Sequence, residues 1–296
     1  MSCSNRTLFA AIAVSISLAC MLARAEAAEP KPLTHDGRLK MDPVFVRGGE
    51  EIVFTLLDAP TQTSLMRLKL ADLSVERLHP QATTAEFEPG FSPDGRYYAF
   101  VQSRGNLNLK LVIRDTVQNK EAVYDPGGGF VGMHGPKITP DSTRVVFSIP
   151  APGGQQIVSV NLAGQDRKPI TQLAGVNNWP TLSPDGRQIA FASTRDGDFE
   201  IYAMRLDGSD LRRLTTSRGR DLRPAWSPDG KRIAFNTARD GNEEIYVMNA
   251  DGSPPRNLTH HPERDDYPAW HPDGRRLVFV GERHGRFDLY LIEVGD

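Results

Sequence analysis

The decapeptide WSPDGKRIAF (226–235) is one of six related copies in this chain, and their spacing constrains the fold more than any other feature. Aligned on its first hydrophobic residue, the phrase begins at Phe45, Phe91, Ile138, Leu182, Trp226 and Trp270, at intervals of 46, 47, 44, 44 and 44 residues. Two residues before each start stands a proline (Pro43, Pro89, Pro136, Pro180, Pro224, Pro268), and nine residues after it a phenylalanine (Phe54, Phe100, Phe147, Phe191, Phe235, Phe279). Repetition at this period means stacked supersecondary units sharing one core. Within a copy the residues read as short strands rich in Ile, Val, Phe and Tyr, punctuated by Pro-Asp-Gly and Asp-Gly turns, with no helical period of useful length. Four antiparallel strands per copy predict an all-β chain, a six-bladed β-propeller.

The ends of the chain bear on how such a ring closes. In the good copies Leu-Thr falls twelve residues before the next start, at Leu214 and Leu258, and Ile170-Thr171 keeps the offset. The sixth copy stops after its third strand, whereas Leu33-Thr34 lies twelve residues before Phe45 with no copy preceding it. Residues 30–35 are therefore expected to supply the outer strand of the last blade, which removes an exposed sheet edge.

Upstream, Arg6 precedes an apolar run from Leu8 to Leu22, followed by ARAEAAEP. The run is shorter than the ~20 residues of a membrane span and ends in small residues, the pattern of an export signal. Residues 1–25 are read as that signal, with cleavage after Ala25, Ala27 or Ala28, and 26–296 as a single propeller. The mature protein is expected to be periplasmic or secreted, monomeric and without a stable membrane span. Both cysteines, Cys3 and Cys20, fall in the signal, so neither disulfides nor cysteine-ligated metal are expected in the mature chain. Loss of Arg6 and Arg24 leaves 33 of the 35 basic side chains against 37 acidic ones, a net charge of −4 with no basic run, which gives no electrostatic case for nucleic acid.

The segments SPDGKRIAFNTARDGNEEIYVMNADGSPPRNLT (227–259) and SPDGRQIAFASTRDGDFEIYAMRLDGSDLRRLT (183–215) closely resemble the repeats of the TolB carboxy-terminal propeller. The resemblance is strong in the last three copies, fair at Phe91 and weak at Phe45 and Ile138. It implies a six-bladed periplasmic propeller that binds a protein or peptide of the cell envelope, here without the α/β domain that precedes the TolB propeller. Similar repeats occur in the gating propellers of prolyl-oligopeptidase-like enzymes, but the chain contains no Gly-x-Ser-x-Gly.

The recurring Asp94, Asp141, Asp185, Asp229 and Asp273 read as turn formers rather than as metal ligands, since they are distributed around the ring. Glu200, Glu244 and Asp288 recur after the next turns and are expected to pair with Arg195, Arg239 and Arg283. A binding site is better sought where the copies differ. Just before each proline they carry Met41-Asp42, Phe87-Glu88, His134-Gly135, Asn178-Trp179, Leu222-Arg223 and Asp266-Tyr267, with Asp221 and Asp265 one step earlier. From these, Asp42, Glu88, His134, Asn178, Trp179, Asp221, Arg223, Asp265, Asp266 and Tyr267 are the candidate ligand-binding residues, a mixed polar and aromatic rim at one mouth of the channel. No catalytic residue and no cofactor is assigned. Ca²⁺ held by Asp42, Glu88 and Asp265 is the one metal site to test, and a hydrolase or lyase acting on a sugar or lactone, with a metal in the acidic channel, is the rival to a binding role.

Overall fold

The computed structural model describes residues 29–103, 105, 108–127 and 132–295. The segment read as an export signal, and with it both cysteines, lies outside them. The fold is an all-β propeller. The first copy forms a four-stranded sheet from Lys40–Val46, Glu51–Ala59, Gln62–Lys69 and Val75–Arg77, and the second from Ala85–Phe91, Tyr97–Ser103, Leu109–Asp115 and Lys120–Tyr124. The fifth uses Asp221–Trp226, Arg232–Thr237, Glu244–Asn249 and Arg256–Asn257.

The third copy (from His134–Ile138 to Lys168–Pro169) and the fourth (from Gly175–Leu182 to Arg212–Arg213) are joined in one eight-stranded sheet. The junction is a short parallel pairing of Gly154 with Gly175 and Gln155 with Val176. A Cβ on Gly154 would lie 2.3 Å from the Gly175 carbonyl oxygen, so this approach requires glycine. In the sixth copy the inner strands Asp265–Trp270, Arg276–Arg283 and Arg286–Glu293 are joined by Lys31–Pro32, which pairs antiparallel with Arg286–Glu293. Leu33 N–H donates to the Leu289 carbonyl at 2.7 Å, and buried Thr34 donates its hydroxyl to Asp288 at 2.7 Å.

The repeated phrase makes the inner hairpin of each sheet. In the fifth copy the Asp229 carboxylate accepts from Ser227 Oγ at 2.5 Å and from Lys231 N–H at 3.0 Å, and Ser227 Oγ accepts from Arg232 N–H at 2.9 Å. Gly230, at φ +71°, donates back to the Ser227 carbonyl at 2.9 Å. The same arrangement holds at Ser92–Asp94 and Ser183–Asp185. These aspartates are consumed inside their turns. The six phenylalanines are no more than 1% exposed and form the cores between neighbouring sheets.

The arginines that follow the second strand do form ties, but not with the predicted partners. Arg239 pairs with Asp221 (3.0 Å), Arg283 with Asp265 (2.7 Å), and Arg195 donates to Asn177 (3.0 Å). Glu200 instead accepts from Thr215 Oγ1 at 2.6 Å and Arg213 at 2.8 Å, Glu244 from Asn257, and Asp288 from Thr34 and Lys40. The reason is directional. Each arginine folds back over its own second strand toward the innermost strand, whereas Glu200 and Glu244 open the third strand and face the outermost one, and Asp288, two residues into its third strand, meets Thr34 and Lys40.

Candidate functional site

The innermost strands share one irregularity. Their ladder to the second strand shifts register between Met41 and Val44, Phe87 and Gly90, His134 and Lys137, Asn178 and Thr181, Leu222 and Ala225, and Asp266 and Ala269. At each of these bulges the residue before the proline sits in the left-handed region. The φ values are 50° at Asp42, 53° at Glu88, 62° at Gly135, 51° at Trp179, 49° at Arg223 and 58° at Tyr267. Residues before proline favour extended backbone, and a non-glycine residue in the left-handed region costs on the order of 1–3 kcal/mol. Five of the six positions bear that strain, and the bulge re-aims their side chains.

Those side chains meet around a cavity of about 1000 Å³ on the propeller axis, lined by Asp42, Glu88, Lys137, Trp179, Arg223 and Tyr267 together with the rings of prolines. The site has two unlike halves. On one, the Arg223 guanidinium lies between two aromatic rings, 4.9 Å from the Trp179 centroid and 4.1 Å from that of Tyr267, with Nη1 3.3 Å from Asp266 and Nη2 donating to Tyr267 Oη at 3.2 Å. Phe199 backs Trp179, ring centroids 5.7 Å apart. Burial raises the Tyr267 phenol well above its ordinary value, so it stays a neutral hydrogen-bonding group.

The other half is acidic. Glu88 accepts from His134 Nδ1–H at 2.6 Å and from the Gly135 N–H. Burial acts to lower the His134 pKa, but the hydrogen bond and charge of Glu88, with Asp42 behind it, outweigh burial and hold it above the ordinary value. Asp42 has no hydrogen-bond partner among the described residues; burial first, then repulsion from Glu88, pushes its carboxyl up to about 7. Lys137 projects into the same channel one residue beyond its proline, and burial pushes its ammonium down.

Of the predicted residues, Asp42, Glu88, Trp179, Arg223 and Tyr267 line the cavity, and His134 stands behind Glu88. Four others do not face it. Asp221 and Asp265, fully buried, are the acids of the arginine ties described above. Asn178 is buried between the third and fourth copies, accepting from Ser148 Oγ and from the Trp179 N–H at 2.9 Å. Asp266, 1% exposed, lies beneath the rim, accepting from Arg223, Arg264 and the Tyr267 N–H. Strand alternation turns these side chains into the sheets, and the bulge sends only the following residue into the channel. Among the described residues no group of three or more His, Cys, Asp or Glu side chains is placed to hold a metal, and Asp265 is locked to Arg283 rather than joining Asp42 and Glu88. Lys137 was missed, although a signal existed: the residue after the proline is Val44, Gly90, Thr181, Ala225 or Ala269 elsewhere.

With fold and channel in place, the comparisons with known proteins agree on the class. Residues 81–224 match the TolB beta propeller domain, and residues 206–294 match the Tricorn protease N-terminal beta propeller domain. The chain is a β-propeller. Among solved structures, TolB from Acinetobacter baumannii superposes with a TM-score of 0.70 at 21% identity, over 81% of this chain and 59% of that one. A putative TolB from Agrobacterium tumefaciens gives 0.70 at 21%, over 91% and 98%. More particularly, the propeller is similar in fold to that of TolB, and the chain spans somewhat over half the length of the Acinetobacter protein. An oligogalacturonate lyase in complex with manganese shares the fold with a TM-score of 0.59 at 18% identity, over 92% and 95%. No curated protein matches the sequence. Among the described residues, no helix is long and apolar enough to cross a membrane.

Proposed function

We propose that this chain is an exported, non-catalytic scaffold that captures a protein or peptide of the cell envelope at the channel mouth. In this reading residues 1–25 direct export to the periplasm or beyond and are removed. Residues 26–296 form a closed, monomeric ring of six blades, two of them sharing the eight-stranded sheet. The six sequence copies support the count, and the pairing of Lys31–Pro32 with the last strand, together with the packing of Lys40–Val46 against Asp265–Trp270, supports the closure.

The observation that carries the binding role is the ring of bulges. A repeated frame holds six side-chain positions at left-handed φ, yet fills them with Asp, Glu, Gly, Trp, Arg and Tyr. A packing role would favour the same residue in every copy, as the six buried phenylalanines show. A frame kept constant at a backbone cost while its side chains diverge is what selective recognition requires, and an aromatic–arginine cluster is a common anchor for a partner chain. The test is photo-crosslinking in envelope extract. A benzophenone side chain at position 179 should capture a discrete partner, whereas the same group at Val123, 44% exposed on the outermost strand of the second copy and away from the cavity lining, should not. Equal capture from both positions, or from neither, contradicts the proposal.

A further inference from the structure

The channel lining holds two charged groups whose side chains the protein leaves without hydrogen-bond partners. Lys137 and Asp42 both line the central cavity, and among the described residues neither side chain makes a hydrogen bond or an ion pair, with the other or with any other side chain. The other charged groups near them are engaged: Glu88 holds His134 and the Gly135 N–H, and Arg223 holds Asp266 and stacks on Trp179 and Tyr267. Elsewhere on the channel wall the residue after the proline is small or apolar, so Lys137 is a departure from the frame rather than part of it. Gly90 helps to bring it there. A Cβ on Gly90 would sit 2.0 Å from the Pro136 carbonyl oxygen, so the second and third inner strands approach this closely only because Gly90 has no side chain.

A recessed charge without a hydrogen-bonded partner is unfavourable, and here one of each sign faces the same space, each within the other's field but in no ion pair. The prolines of the wall have no N–H to offer an anion. A ligand that satisfies both groups must present a cation or strong donor to Asp42 and an anion to Lys137. The cavity, about 1000 Å³, is of small-molecule size.

We propose that the channel binds a compact zwitterion, its carboxylate on the Lys137 ammonium and its ammonium on the Asp42 carboxylate, with a free α-amino acid as the ligand class. Charge-assisted hydrogen bonds at both ends make each contact necessary. The site shares Asp42 with the rim, but binding of the zwitterion does not depend on capture of a partner there.

The test uses the mature protein and the free α-amino acids as probes, screened at millimolar concentration by thermal shift and measured by calorimetry. At least one amino acid should bind. Its N-acetyl and its amide derivatives, each lacking one charge, should each bind about tenfold more weakly or worse. Lys137→Met and Asp42→Asn should each abolish binding, and the derivative series on the unaltered protein reads the same two contacts without relying on either variant. No binding by any amino acid, or binding indifferent to both derivatives, overturns the proposal. Crosslinking from position 179 and calorimetry on the unaltered protein are separate readouts, so failure here leaves the scaffold reading standing, and the reverse also holds.

Discussion

Arg239 reaches back over its own strand to Asp221, Nη2 to Oδ2 3.0 Å, and thereby pins the innermost strand of the fifth copy to its second. Asp221 is fully buried and Arg239 largely so, which makes the pair costly to break singly. Asp221→Ala should destabilise the protein by about 3 kcal/mol in urea denaturation. Asp221→Asn should cost less than half as much, because the fourth copy already performs the same tie with Asn177 and Arg195 at 3.0 Å. Equal losses for Asn and Ala would mean that the tie contributes charge rather than geometry.

Backbone strain at the rim gives a second expectation. Arg223 holds φ at 49°, where a Cβ is unfavourable. Arg223→Gly should therefore be more stable than Arg223→Ala by about 1 kcal/mol, although glycine ordinarily weakens a strand. The comparison cancels the side-chain contacts, which both variants lose. If alanine proves the more stable, the left-handed conformation is not a constraint at this position.

A third expectation concerns pH. Asp42 is raised to about 7 by burial and by Glu88, against the opposing charges of Arg223 and Lys137, with Asp266 adding to the rise. The unfolded chain ionises this group near 4. The folded state therefore holds a proton that the unfolded state releases, so this group's contribution to stability falls as pH rises from about 4 to about 7 and is level above that. Asp42→Asn should remove the fall, leaving the variant more stable than the parent at pH ~8 by on the order of 2 kcal/mol and comparable at pH ~4. Denaturant midpoints across that range check it; parallel profiles for the two proteins would exclude Asp42 as the source.

How much of this was legible beforehand divides along physical lines. Pro43 to Pro268, Phe54 to Phe279 and the turn role of SPDG were readable because each repeats and each has a local cause, a fixed φ or a buried ring. Trp179, Arg223 and Tyr267 were readable as departures from a pattern. Asp221 and Asp265 were misplaced because the bulge that separates them from the channel is invisible in sequence: the residues before proline include Asp, Glu, Trp, Arg and Tyr, none of which signals a positive φ. The partners of Glu200 and Glu244 were misassigned for a related reason, since adjacency in the chain does not show which neighbouring strand a side chain faces.

The amino-terminal strand offers a fourth expectation. Leu33 is 3% exposed, Thr34 donates to Asp288 at 2.7 Å, and Lys31 and Pro32 pair with Leu291 and Tyr290. Deleting residues 29–35 uncovers a hydrophobic sheet edge. The thermal midpoint should fall by about 10 °C, and the variant should tend to associate. An unchanged midpoint by calorimetry would show that these residues merely decorate the last sheet.

The account as a whole places recognition at the rim, where a repeated frame carries unlike side chains. The most direct measurement is partner capture from envelope extract by a variant combining Arg223→Ala, Trp179→Ala and Tyr267→Ala, read beside its thermal midpoint. The account predicts loss of capture from a variant that still folds, with the midpoint lowered by about 10 °C, since Trp179 and Tyr267 border the cavity but also pack on the edges of two cores between sheets. Capture undiminished in a folded variant would contradict it.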